Sequence, residues 1–175
     1  MKHAFENELT TILVDHHAIS QKEAIALEYA FYQSDADEFE DFLLEEGLVA
    51  ENDLLQALSQ YYKVQAFDVV GNFFHRLLLK KFPKGFLLRH GIIPLDADNE
   101  SIIIIASDPD ALGLTEEIAH YVSYDIYFMV GIRRDICDAV KEFYDPSDTE
   151  VNVDKKNAEE DNYFDINNFD FWQEG

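Results

Sequence analysis

Residues 101–144, SIIIIASDPDALGLTEEIAHYVSYDIYFMVGIRRDICDAVKEFY, constrain the fold more than any other part of the chain. Four consecutive isoleucines, Ile102 to Ile105, leave no room for a polar face and predict a strand buried on both sides. An Asp108, Pro109, Asp110 turn, a helix over 114–122, a strand over 125–130 and a helix over 133–144 come after it with almost no spare residue. The two aspartates are expected to turn the chain and to cap the helix after them. Upstream, residues 92–95 form a strand that pairs with 102–106 through the polar turn 96–100. A further short strand over 64–67, a helix over 74–81 ending ahead of Pro83, and a helical piece over 86–90 closed by Gly91 complete this half.

The first third reads as two similar helical units thirty residues apart. The run from Glu8 through His17 to Ser20 resembles the run from Glu38 through Gly47 to Ala50. Gly47 sits where a helix needs a left-handed terminating residue, and His17 fills the same slot less comfortably. Ser20 and Glu23 form a capping box, and Glu51 and Asp53 place acid at the positive end of the fourth helix. The predicted class is α+β: a helical mini-bundle of two helix-pair repeats over 1–62, a small α/β sandwich-like domain over 63–145, and a disordered acidic tail over 146–175.

Charge narrows the function classes. Thirty-six acidic against thirteen basic residues give a net charge of −23. Such a chain repels nucleic acid and anionic membrane surfaces, so its natural partner is a protein with a basic surface. The first residues lack a basic head and apolar run, and no stretch approaches the roughly 20 apolar residues that span a bilayer; a cytoplasmic location is expected. Cys137, the single cysteine, reads as a small buried core residue. Asp15, His16 and His17 invite a metal reading, but adjacent helical side chains point about 100° apart, so a solvated helix end fits better. No serine elbow, cysteine–histidine pair or phosphate-cradling glycine loop occurs. No catalytic residue, metal site or cofactor is therefore expected, and the chain reads as a non-enzyme.

The motifs carry a family resemblance from about residue 9 to residue 144. The second helical unit, FLLEEGLVAENDLLQAL, the Phe82-Pro83 and Pro94-Leu95 pairs, and the DP turn with its helix, strand and helix resemble the N-terminal domain of type II secretion and type IV pilus assembly ATPases, of the MshEN type. These ATPases continue into a motor domain, so the resemblance implies a stand-alone domain without ATP hydrolysis. It also implies a role in joining components of a machine. In the subset of that family that binds cyclic di-GMP, each helical unit opens with Arg-Leu-Gly and carries a glutamine near its end. The matching positions here are Glu8, Leu9 and Thr10, then Glu38, Phe39 and Glu40, with Phe31 or Tyr32 and Tyr61 in the glutamine slots. Carboxylates replace both cations, which opposes an anionic ligand. The implied ligand site is degenerate.

Two further features point to protein binding. Arg76, Lys80, Lys81, Lys84 and Arg89 cluster in one segment; this segment is expected to lie against the acidic bundle and neutralise it, or to form a docking patch for an acidic partner, this chain's own tail included. In the tail, Phe164, Phe169, Phe171 and Trp172 stand among acids. They are expected to anchor in a partner's groove, or to fold back against Arg76, Lys80 and Lys84. The functional expectation is a non-catalytic adaptor or regulator. The alternatives are a cyclic di-GMP sensor and an acidic decoy that occupies a basic surface.

Overall fold

The computed structural model describes residues 2–145; the expectations for 146–175, with Phe164, Phe169, Phe171 and Trp172, lie outside the described residues. Four helices come first: α1 (Lys2–Asp15), α2 (Gln21–Gln33), α3 (Phe39–Glu45) and α4 (Glu51–Tyr62). They form the two pairs that the thirty-residue repeat predicts. Ser20 caps α2 through a closed box: its hydroxyl accepts the Glu23 amide at 3.2 Å, and the Glu23 carboxylate accepts the Ser20 amide at 2.7 Å. The two turn slots adopt one conformation, with φ of 60° at His17 and 72° at Gly47. His17 does so although a Cβ in the left-handed region costs about 1–2 kcal/mol. Leu9, Leu13, Leu43, Leu54 and Leu58 meet in a shared core, and the edge-on pair Phe31 and Phe39, 5.0 Å apart, joins one repeat to the next.

The second half contains α5 (Arg76–Leu79), α6 (Lys84–His90), β1 (Ile92–Ala97), β2 (Ser101–Ala106), α7 (Leu114–Ala119), β3 (Asp125–Val130) and α8 (Arg133–Tyr144). The sheet order is β1-β2-β3. β1 and β2 run antiparallel, and β2 and β3 run parallel with α7 in the crossover between them. Pro94 has no amide hydrogen to give, and it lies on the edge strand beside the register shift that separates it from Asp96. Ile102, Ile104 and Ile105 are fully sealed and Ile103 is half-buried. They pack with Leu79, Leu87, Ile118, Ile136 and Val140 from the surrounding helices.

Several elements differ from expectation, each for a local reason. Residues 64–67 make only an isolated parallel bridge, Ala66 to Val130, because the chain turns away at Asp68, whose carboxylate accepts the Val70 amide at 3.0 Å. The helix over 74–81 contracts to α5, since Lys81 and Phe82 close short i→i−3 bonds ahead of Pro83. The helix over 114–122 ends at Ala119 in the same manner. Asp108 receives the Asp110 amide at 3.2 Å and turns the chain, but it does not cap α7, whose N-cap is Gly113. Cys137 is half-buried and outside the core, with Sγ 3.8 Å from the Leu88 carbonyl.

Two apolar cores result, and they meet at the end of β3. Val130 and Ile132 are buried among the helices of the first half, while Gly131 between them donates to the Ala106 carbonyl at 3.1 Å. A Cβ on Gly131 would lie 2.8 Å from Ile105 Cγ2, so a side chain there would force the packing of Ile105 at the junction to shift.

Ile104→Asp puts an unpaired charge into the central strand. It should cost several kcal/mol, a large share of a typical stability of about 5–15 kcal/mol. Thermal melting followed by circular dichroism checks it: an unchanged melting temperature would show that β2 is not the core strand.

Candidate functional site

Where the two halves face each other they leave a cleft of about 550 Å³. Phe5 and Glu6 enter it from α1, Asp37 to Glu40 from the approach to α3 and its first turn, and Tyr61 and Tyr62 from the end of α4. Ser107, Asp108 and Asp110 close it after β2, with Arg133 at the start of α8. Phe5 and Tyr61 meet edge-on at 4.9 Å, and Tyr61 and Tyr62 at 4.8 Å, which gives one wall three rings in fixed mutual orientation.

The sign of the cleft is negative. Glu6, Asp37, Glu38, Glu40, Asp108 and Asp110 line it against a single guanidinium. That guanidinium is largely occupied: Arg133 Nη2 donates to the Arg89 carbonyl at 2.8 Å, Nη1 to the Ser107 hydroxyl at 3.4 Å, and Nε stands 3.8 Å from Glu38. It closes the C-terminal carbonyls of α6 and holds them to the rim of the cleft. Burial pushes the Glu40 carboxyl up to about 7, with Glu38, Asp41 and Asp108 adding like-charge repulsion. Burial likewise raises the Asp108 carboxyl and the Tyr62 hydroxyl, which hydrogen-bond each other. Behind the wall, burial raises Asp41 too, and its Oδ1 has no hydrogen-bond partner. Chemically this is a seat for cations and hydrogen-bond donors. Among the described residues no group of three or more His, Cys, Asp or Glu is arranged to hold a metal ion.

Of the two degenerate triplets, only the second reaches the cleft. Glu38, Phe39 and Glu40 line it, as does Tyr61 from the glutamine slot. In the first triplet Glu8 is exposed and Leu9 belongs to the core. The buried Thr10 hydroxyl lies between the Glu6 carbonyl and the Glu28 carboxylate. Tyr32 donates to Glu6 at 3.2 Å, within the α1–α2 pair. Asp108, Asp110, Tyr62 and Arg133 escape the sequence reading because they come from three distant segments; an aromatic in the Tyr61 slot was the one local signal.

The basic segment does not lie against the bundle. Lys84 and Lys80 pair with Asp145 at 2.7 and 3.6 Å, Lys80 covers the Tyr144 ring at 4.1 Å, and Arg89 pairs with Glu117 at 3.6 Å. Arg76 is exposed on α5. Among the described residues, the ion pairs to the helical half come from Arg133, to Glu38, and Arg134, to Glu51 at 3.2 Å. His16 Nε2 lies 2.6 Å from Gln60 Oε1, at an exposed helix end.

A two-repeat helical bundle set on a three-stranded sheet, with a cleft at the junction, is the class of domain that this architecture defines, and solved structures share its fold. The structure of MshE with cdg, cyclic di-GMP, superimposes with a TM-score of 0.61 at 19% identity over 78% of this chain and 98% of that one. The N-terminal domain of XpsE gives 0.58 at 16% identity over 80% and 96%. At these identities the likeness establishes the fold alone. The family described as the MshEN domain matches residues 75–150, so that part of the chain is similar to it in sequence, and the chain shares the fold of these structures. No curated protein matches.

The raised Glu40 carboxyl sets a pH dependence. Its folded value lies above the unfolded one, so the native state binds the extra proton and stability falls as pH rises from about 4.5 through about 7. Glu40→Gln should therefore stabilise at pH 8 by on the order of 1–3 kcal/mol and change little at pH 5. Denaturant unfolding at the two pH values reads this directly; an equal effect at both would place Glu40 in solvent.

Proposed function

We propose that this chain is a non-catalytic adaptor or regulatory protein whose cleft receives basic side chains of a protein partner. The observation that carries the reading is the cleft's composition, six carboxylates and an aromatic wall against one engaged arginine. A Lys or Arg entering it meets opposite charge in a partly water-excluded space, where Coulomb attraction is stronger than at an open surface. The rings of Phe5, Tyr61 and Tyr62 offer faces or edges to its aliphatic stem or its charge. A doubly anionic dinucleotide meets the reverse field. The sensor alternative draws on MshE, whose structure is with cdg, but here carboxylates stand at both of the positions that the resemblance assigns to arginine.

No reaction is assigned to the cleft: Ser107 is buried and engaged by Arg133, with no histidine or cysteine beside it. The same reading places the protein in the cytoplasm. No helix among the described residues is long and apolar enough to cross a membrane.

Calorimetric titration separates the readings. A short arginine-rich peptide should bind, more weakly as salt rises, and Glu38→Lys combined with Asp110→Lys should abolish the signal. Cyclic di-GMP should give no heat at micromolar concentration. Micromolar or tighter binding of cyclic di-GMP would overturn the adaptor reading in favour of the sensor.

A further inference from the structure

A second concavity, of about 430 Å³, lies between α5 and the end of β1. Leu77, Leu78, Ala97 and Tyr124 give it an apolar floor, and His75, Lys81 and Asp96 stand around it. Leu77 is 85% exposed although Leu78 and Leu79 beside it are buried. A leucine left in water in the middle of a short helix keeps apolar area available for a ligand to cover, at roughly 25 cal/mol per Å². Arg76, Lys80 and Lys84 extend the positive charge of Lys81 along the same stretch of chain.

The structure also fixes where the remainder of the chain leaves the domain. Tyr144 donates to the Phe82 carbonyl at 2.9 Å and its ring lies under Lys80. Asp145 is held by Lys84 and Lys80. Lys81, the next residue after Lys80, already lines the groove. The last described residue, Asp145, is thus tied to the residue that directly precedes a lining residue of the groove. The C-terminal sequence is complementary to the groove in both polarity and charge. Tyr163, Phe164, Phe169, Phe171 and Trp172 supply rings, and no lysine or arginine occurs after Lys156. In Phe169, Asp170, Phe171 an extended backbone puts both rings on one side and the carboxylate on the other.

We propose that residues 159–175 of this chain dock in the α5 groove, aromatic side chains on Leu77 and Tyr124 and carboxylates toward Arg76 and Lys81. Residues 146–158 span up to about 45 Å when extended, far more than the distance required. The covalent connection sets an effective concentration in the mM range, so a modest contact suffices. The charges select this groove over its neighbours. The hollow between Val70, Phe73 and α8 is edged by Asp135, Asp138 and Glu142, and the cleft at the junction is more acidic still. The α5 groove shares no residue with that cleft, so the proposal stands or falls apart from the adaptor reading.

Trp172 is the only tryptophan, which makes the full-length protein its own reporter. Docking predicts a blue-shifted Trp172 emission shielded from acrylamide, independent of protein concentration. Leu77→Ser and Lys81→Glu should each redden the emission and raise the quenching constant at least twofold, as should raised salt. Both side chains face solvent, so the far-ultraviolet circular dichroism should not change; if Leu77→Ser does perturb it, Lys81→Glu carries the test. An emission characteristic of free indole in the wild type would overturn the proposal. So would a blue-shifted emission indifferent to both substitutions, which places the segment elsewhere, or one that reddens on dilution, which means that a second copy supplies the groove.

Discussion

The fold depends on three residues at the end of β3 that belong to both halves at once. Val130 and Ile132 complete the helical core, and Gly131 between them stays bonded to β2. The linker after α4 is stitched to the same point, with Phe67 donating to the Val130 carbonyl and Val130 to the Gln65 carbonyl, both at 2.9 Å. Apolar burial thus runs without interruption from the bundle into the sheet. The walls of the acidic cleft are direct neighbours of this junction: Ser107 comes directly after β2, and Arg133 directly after Ile132. Their separation is fixed by backbone hydrogen bonds and close packing rather than by a loop.

Much of the architecture was legible because its determinants are local. The isoleucine run, the strand over 125–130, the Ser20–Glu23 box and the paired turn slots at His17 and Gly47 each depend on a few consecutive residues. Expectations failed where a neighbouring residue redirected the chain or a distant partner decided the outcome. The run over 64–67 has strand composition, yet Asp68 bends the chain before a ladder can form. Cys137 lies next to Ile136, but one helical step of about 100° takes it off the Ile136, Ala139 and Val140 face. The cleft was half legible: the family resemblance pointed to Glu38, Glu40 and Tyr61, whereas nothing in the sequence brings Asp108 and Arg133 to them. The basic segment misled because net charge suggested that it would neutralise the bundle, while the acids it pairs with are Asp145 and Glu117.

Against the solved relatives, the fold is retained over nearly four-fifths of the chain at identities below one in five. A fold can host opposite chemistries, because the backbone needs only the apolar pattern whereas a site needs particular side chains in particular places. Here the cleft has six carboxylates against one arginine, and burial, with like charges adding to it, pushes one of them, Glu40, up to about 7. Like charges crowded at a junction disfavour closure when it is empty.

The junction also bears on the order in which the chain becomes a structure. The helices of the first half are complete by residue 62, but two of the side chains that fill their core arrive only at 130 and 132. During synthesis from the N-terminus the bundle must wait, partly open, while some seventy further residues emerge at about 5–20 per second. The parallel pairing of β2 with β3, which delivers those side chains, is itself a slow, non-local event. Until residue 132 has been made, the places of Val130 and Ile132 in the helical core of a nascent chain stay unfilled.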